Sequence, residues 1–475
     1  MAILPQRVSI MAMAIKELQP QPTSPVQSCW RKIVAPLPVP ASVPLIERLR
    51  AAEPVSTSGM PPILWHEAEG FLVRDPFGNQ WIDLTSGIVV ANTGHAHPSI
   101  RAAIHRAADK PLLATYSFPS KERLLLLEKL ASLAPLPDAK AILFSSGTEA
   151  NECAIMLMRR HGQRISPDKV GILSFEGCYH GRTLGAGLSS GTGQPTDWIQ
   201  RERVKHFQIP FPLGPLCPWG CSRDTPCDES CFHRCIDELA QRDIRPEDIA
   251  GIIVEPVPGW ATYPMPAAYA SALSAWAREN DILVCFDEVQ SGCGRSGRFF
   301  AFEHVGTVPD LITLGKGLSS SLPVSAVLGP RSLMDQPAPG DMSSTHGGNP
   351  LCAAAALANL AVIEDENLVE ASDRTGQLVL EEVKQLQQEF PQHMLSVHGR
   401  GLFISVHFTR PESGKPDTAL ADAIVHEAVR RGVLMFVTGR GFLKISPPLN
   451  IEPEAVLEAI GVIRDCFLEL KDQPA

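Results

Sequence analysis

Ile282-Leu283-Val284-Cys285-Phe286-Asp287-Glu288-Val289-Gln290 runs from a short apolar stretch straight into two adjacent carboxylates. An uninterrupted apolar run of this length reads as a buried strand. A polar group at its C-terminal end stands where open α/β sheets form their ligand crevice. The same construction recurs at Leu311-Ile312-Thr313-Leu314-Gly315-Lys316-Gly317, where an apolar strand runs into one lysine set between two glycines. Alone, the lysine reads as a solvated turn residue and the aspartate as a helix cap or salt-bridge partner. On neighbouring strand ends they read differently, as an amine and a carboxylate converging on one crevice.

Outward from these two strands, short apolar segments alternate with amphipathic helical ones. KAILFSS (140–146) leads to EANECAIMLMRRH (149–161), GILSFEG (171–177) follows, and AGIIVEPV (250–257) leads to PAAYASALSAWAREN (266–280). Strand, helix, strand at this spacing predicts right-handed crossovers and a mainly parallel sheet covered by helices. Residues 111–350 are therefore expected to form a large α/β domain. GFLVRDPFGNQWIDL (70–84) reads as two strands joined by a Gly-Asn turn, placing residues 61–110 in an N-terminal segment of a smaller domain. Residues 351–475, with two long helices, strand-like HGRGLFISVHF, GVLMFV and GFLKISPPL, and a closing helix, complete that smaller α+β domain. Residues 1–60 are rich in Pro, Ser and Gln and are expected to be a disordered or surface-hugging extension with little to pack.

Composition narrows the class. Of the 475 residues 44% are hydrophobic and 20% charged, enough apolar surface for a sizeable core. The net charge of −10, with dispersed cations, offers no footprint for nucleic acid. No apolar stretch of about 20 residues is present, so no membrane span is expected, and the N-terminus lacks a signal-like apolar run. The cytoplasm is the expected compartment, and twelve cysteines there are thiols or metal ligands before they are disulfides.

Two further stretches carry chemistry. Ser145-Ser146-Gly147-Thr148-Glu149 ends a strand and opens a helix, so free amides and hydroxyls gather as a phosphate cup; the same spacing is also an ordinary capping box. Gly177-Cys178-Tyr179-His180-Gly181-Arg182-Thr183 offers an aromatic able to lie on a ring and an arginine able to grip a carboxylate. An amine for a Schiff base, an acid for a pyridine nitrogen, and a phosphate cup are what pyridoxal 5′-phosphate (PLP) chemistry requires.

From about residue 60 to 470 the chain resembles the class III, or omega, aminotransferases of PLP fold type I, the aspartate aminotransferase-like fold. SSGTEANE, CYHGRTLG, IIVEPV, FDEVQSGCGRSG, LITLGKGLSSSLPVSAV, STHGGNPL, GRGLF and LKISPPL occur in the family's order. The resemblance implies that Lys316 is the Schiff-base lysine and Asp287 the pyridinium partner. It also implies that Val289 packs under the ring and Gln290 bonds its phenolic oxygen. Ser146, Gly147 and Thr148 would hold the phosphate, Tyr179 would stack with His180 beside it, and Glu255 would give support from a neighbouring strand. Thr345 would reach the phosphate from the other subunit, which implies a homodimer with shared sites. Partners are then a small-molecule amine donor and a 2-oxo acid such as 2-oxoglutarate or pyruvate, with no nucleic acid or membrane.

The chain looks closest to the 4-aminobutyrate aminotransferase branch, with Ile88 where ornithine-type enzymes carry tyrosine and Arg182 matching the arginine for the distal carboxylate. It departs from that branch at Trp260, where a glutamate is usual, and at Lys444, where that glutamate's arginine partner is usual. Losing both together is coherent, because removing one charge would strand the other. Trp260 adds an apolar wall and Lys444 a point charge without a planar fork. Altered substrate choice is expected, with decarboxylation, racemisation or phospho-lyase chemistry on the same fold as the alternative. A cofactor-free regulatory protein is disfavoured, since Lys316 and Asp287 are both kept.

An insertion at about 212–236 carries Cys217, Cys221, Cys227, Cys231 and Cys235. Four of these five sulfurs could bind zinc or iron, but C-x₃-C is not the usual C-x₂-C knuckle, and disulfides or plain thiols remain open. No metal ligand is assigned on sequence grounds, and the histidines show no HExxH spacing.

Overall fold

The computed structural model describes residues 18–57, 60–191, 199–222, 225–438 and 441–472. Its centre is a seven-stranded sheet. In chain order the strands are β1 (Ala139–Phe144), β2 (Gly171–Phe175), β3 (His206–Ile209), β4 (Ile249–Val254), β5 (Leu283–Asp287), β6 (Leu311–Leu314) and β7 (Ser325–Pro330). Across the sheet they lie in the order β1-β7-β6-β5-β4-β2-β3. Only β7 runs against its neighbours; the other pairings are parallel. Every residue of β2, β4, β5 and β6 is buried, as strands covered on both faces must be.

Helix α1 (Gly147–Gln163) shows why the helices lie down on this sheet. Ala150, Cys153, Ala154, Leu157 and Met158 recur at three- and four-residue intervals and are buried, while the opposite face carries charge. Its N-terminus is closed by a reciprocal cap: Glu149 N–H donates to Ser146 Oγ (3.3 Å) and Ser146 N–H to Glu149 Oε2 (2.8 Å).

A second, antiparallel sheet joins Met394–Arg400, Phe403–Phe408, Phe442–Ile445 and Phe436–Thr438. In a third sheet Leu72–Arg74 and Gln80–Asp83 pair as the hairpin read from the sequence, and Val433–Leu434 adds to Gln80–Asp83 in parallel. Chain from the two ends thus meets in one sheet.

The proline-rich segment is a correction. Residues 18–57 were expected to have little to pack, yet Ile33, Leu37 and Val39 are buried with Val73, Trp81, Val429 and Leu434. Lys32 pairs with Gln80, and Ser28 Oγ donates to Glu458 Oε1 at 2.6 Å. Proline is compatible with an extended edge segment and with a helix's first turn, where Pro44 opens the helix Val43–Ala52, and the apolar residues between the prolines supply the contact. The rest of the expected extension, residues 1–17, lies outside the described residues. No helix among the described residues is long and apolar enough to cross a membrane.

Candidate active site

Parallel strands end together, and this brings the predicted groups to one edge. Asp287 closes β5, Glu255 follows β4 and Lys316 follows β6; Phe286 pairs with Val254 and Asp287 with Thr313. The N-terminus of α1 opens at the same edge after β1. The resulting cavity of about 530 Å³ is lined by Ser146, Gly147, Thr148, Tyr179, His180, Arg182, Glu255, Trp260, Asp287, Val289, Gln290, Lys316 and Lys444. It also takes in Asn151, Gly259, Phe436 and Thr438, which sequence reasoning did not assign.

Asp287 is 3% exposed and densely hydrogen-bonded. Its Oδ2 accepts from Asn151 Nδ2 (2.7 Å) and lies 2.8 Å from His180 Nδ1; its Oδ1 accepts from Val289 N–H (3.0 Å). Thr313 Oγ1 donates to Asn151 Oδ1 at 2.7 Å, which fixes that amide's orientation. The neighbouring carboxylate does something else. Glu288 turns back to accept from Ala301 N–H (3.0 Å), Phe302 N–H (2.8 Å) and Ser291 Oγ (2.8 Å), and burial pushes its pKa up to about 7. Of the adjacent acids, one faces the cleft and one braces a turn.

Lys316 sits in a left-handed conformation (φ 42°) immediately after β6. Desolvation holds its pKa below that of an ordinary lysine, partly offset by Asp287 and Glu255. Glu255, 4% exposed, accepts from Tyr179 N–H (2.7 Å) and Gly259 N–H (2.8 Å), so one buried carboxylate ties two cleft loops together. Its own pKa is raised, by desolvation first and by Asp287 second.

Two glycines of the motifs are required by close approach. A Cβ on Gly147 would fall 2.6 Å from Val289 Cγ1, and one on Gly177 (φ +87°) would fall 2.6 Å from the Trp260 indole. Trp260 packs edge-on against Phe442 with ring centroids 5.3 Å apart.

Lys444 differs from expectation. It is 1% exposed, and its Nζ donates to Gly259 O (2.8 Å) and Gln290 Oε1 (2.7 Å). Desolvation, then repulsion from Lys316, drives its pKa well below the ordinary lysine value. A buried amine already committed to two protein acceptors positions Gln290 rather than waiting as a free charge for a carboxylate. Arg182, by contrast, is exposed and lines the cleft with no ion-pair partner among the described residues.

Ile88 and Thr345 are not brought into the cleft of the single chain. Both are exposed, Ile88 at 37% on a left-handed turn (φ 65°) whose Ser86 Oγ donates to Ser446 O. The missed residues were within reach in part. Asn151 belongs to the SSGTEANE stretch and lies one helical turn past Gly147, on the same face. Phe436 and Thr438 carry no local signal; only sheet pairing brings them there.

The model of the family described as "Aminotransferase class-III" matches residues 55–467. A 4-aminobutyrate aminotransferase of Mycobacterium leprae is 31% identical over 446 residues, covering 91% of this chain and 97% of that protein. A 5-aminovalerate aminotransferase of Pseudomonas aeruginosa is 33% identical, covering 90% and 98%. Among solved structures, an amine transaminase from an uncultivated Pseudomonas species in a PLP-bound form superposes with a TM-score of 0.79 at 25% identity, covering 88% of this chain and 97% of that one.

Proposed function

The chain belongs to the class-III aminotransferases and is a PLP-dependent amino-transfer enzyme; from that premise we propose that Lys316 and Asp287 carry its chemistry and that Arg182 selects the acceptor. The donor is an omega-amino acid or related amine, and the acceptor a 2-oxo acid such as 2-oxoglutarate or pyruvate. The single observation behind this reading is that a lysine with a lowered pKa, a buried acid held by four neighbours and an exposed arginine line one cavity.

The cleft's residues fit the cofactor. Gly147 has no room for a Cβ, and the N-terminus of α1, with Thr148, lies open to the cavity as an anion site. His180 Nε2 is buried without a partner, beside Asp287, among the described residues. When bound, PLP supplies an electron sink for bonds at the amine-bearing carbon. Asp287 would hold a proton at the pyridine nitrogen, with Asn151 and His180 fixing the carboxylate's position. Lys316 Nζ would hold the aldehyde end and carry the proton removed from the donor carbon; its lowered pKa favours the free amine over the charged form. Tyr179, 39% exposed, would cover the ring, and Glu255 would hold its loop in place. Val289 would pack beneath the ring, and Lys444 would orient Gln290 toward the phenolic oxygen. Trp260 would wall the donor pocket and favour apolar donor chains.

The enzyme is proposed to work as a homodimer in the cytoplasm. Leu113 (59%) and Phe118 (75%) are exposed on a segment bonded to the Thr345 loop through Asn349 Nδ2 to Leu113 O (2.7 Å) and Tyr116 Oη to Ser343 Oγ (3.0 Å). Apolar surface of that kind favours cover by a second copy, which would carry Thr345 to its neighbour's phosphate site. Twelve cysteines, none in a disulfide among the described residues, suit a reducing compartment.

Arg182→Ala tests the acceptor assignment. Loss of a charge-assisted bond lowers kcat/KM for 2-oxoglutarate about 10- to 100-fold while pyruvate changes by less than about threefold. Equal losses for both acceptors in steady-state assays would remove the role.

A further inference from the structure

The structure closes four thiols of the insertion into one group outside the catalytic cleft. Helix α2 (Glu229–Gln241) follows β3 after a loop that turns at Gly220 (φ +80°), and Gly214 allows that loop to close on itself: a Cβ there would fall 2.5 Å from Ser222 O. The Sγ atoms of Cys217, Cys221, Cys227 and Cys231 all lie within 4.8 Å of one another, and Cys221 Sγ is 3.3 Å from Cys231 Sγ. None of the four lines the cleft.

We propose that Cys217, Cys221, Cys227 and Cys231 form a tetrahedral four-thiolate zinc site that clips the insertion loop to the start of α2. Zinc–sulfur bonds of about 2.3 Å put neighbouring sulfurs about 3.8 Å apart, so the observed spread needs only a small contraction. The sulfurs are also grouped as a set rather than as pairs. Cys217 engages both Cys221 and Cys227, and Cys221 engages Cys217, Cys227 and Cys231. Two disulfides would have to break that grouping into separate pairs, whereas one ion at its centre uses all four.

Local backbone favours thiolates. The N–H groups of Trp219 and Cys221 donate to Cys217 Sγ, the outer-shell arrangement that supports a metal-bound thiolate. Cys227 and Cys231 flank the N-terminus of α2, where the helix dipole stabilises negative sulfur. A divalent ion at the centre of the group would supply the positive charge that four thiolates require. Cys235, one turn further along α2, shows the contrast: it is fully buried with its Sγ 3.6 Å from Tyr269 Oη, outside the group, as a plain core thiol. With four protein ligands no position stays open for substrate, so the site is structural.

The full-length chain, grown with zinc and iron both supplied and purified without chelator, tests this by elemental analysis. About one zinc per chain is expected, falling below about a tenth in the Cys227→Ser, Cys231→Ser double variant and unchanged in Cys235→Ser. Should the double variant not fold, cobalt exchanged into the wild-type protein must give the intense visible bands of a tetrahedral four-sulfur site. Iron in place of zinc would overturn the assignment. So would protein that takes up neither zinc nor cobalt, whether alkylation and mass spectrometry find the four sulfurs free or disulfide-bonded.

Discussion

Lys316→Ala is expected to lower the rate of amino transfer by at least about 10⁴-fold, the upper range for loss of a general acid–base group, before its loss as the cofactor's anchor is counted. The fold should survive. The wild-type amine is held below its ordinary pKa by desolvation, so its charged form is disfavoured in the folded state. Removing it relieves that burden, and the thermal midpoint should hold or rise at neutral pH. Lys444, the other lysine lining the cleft, is a poor substitute because its Nζ is already bonded to Gly259 O and Gln290 Oε1. Circular dichroism together with single-turnover kinetics checks both halves of the expectation. Wild-type turnover by a folded Lys316→Ala protein would remove the assignment.

Asp287→Asn should cost about 10³-fold in kcat, within the range seen when one aimed electrostatic group is lost. In free energy that is about 4 kcal/mol at the transition state. The structural cost is smaller. Asp287 Oδ2 accepts from Asn151 and lies against His180 Nδ1, while Oδ1 accepts from Val289 N–H. A side-chain amide can satisfy only one of these two sets of donors, at a cost of about 1–3 kcal/mol. The variant should therefore fold and bind PLP while turning over slowly. The readout that separates charge from packing is the visible band of bound cofactor: it should persist with an altered pH dependence in Asp287→Asn. An unchanged band and unchanged kcat would show that the carboxylate does not face the pyridine nitrogen.

Asp287 and Lys316 were legible because a parallel strand is a continuous apolar run, and a polar residue at its end has one place to go. The capping spacing of Ser146 and Glu149 was legible for the same reason: it is a local hydrogen-bond pattern, realised at 3.3 and 2.8 Å. The N-terminal prolines misled, because composition reveals neither the helix that Val43–Ala52 forms behind Pro44 nor the sheet edge elsewhere that Ile33, Leu37 and Val39 cover.

By itself the amino-acid order determined the α/β class, the strand ends that carry an amine and an acid, and the family, since all of these depend on neighbours within a few residues along the chain. Only the tertiary structure decided that Glu288 braces a turn while Asp287 faces the cavity, that Lys444 is already bonded, and that Cys217 and Cys221 meet Cys227 and Cys231 while Cys235 does not. These are contacts across sheet pairings and loop closures, and no local periodicity encodes which distant partner a side chain will find.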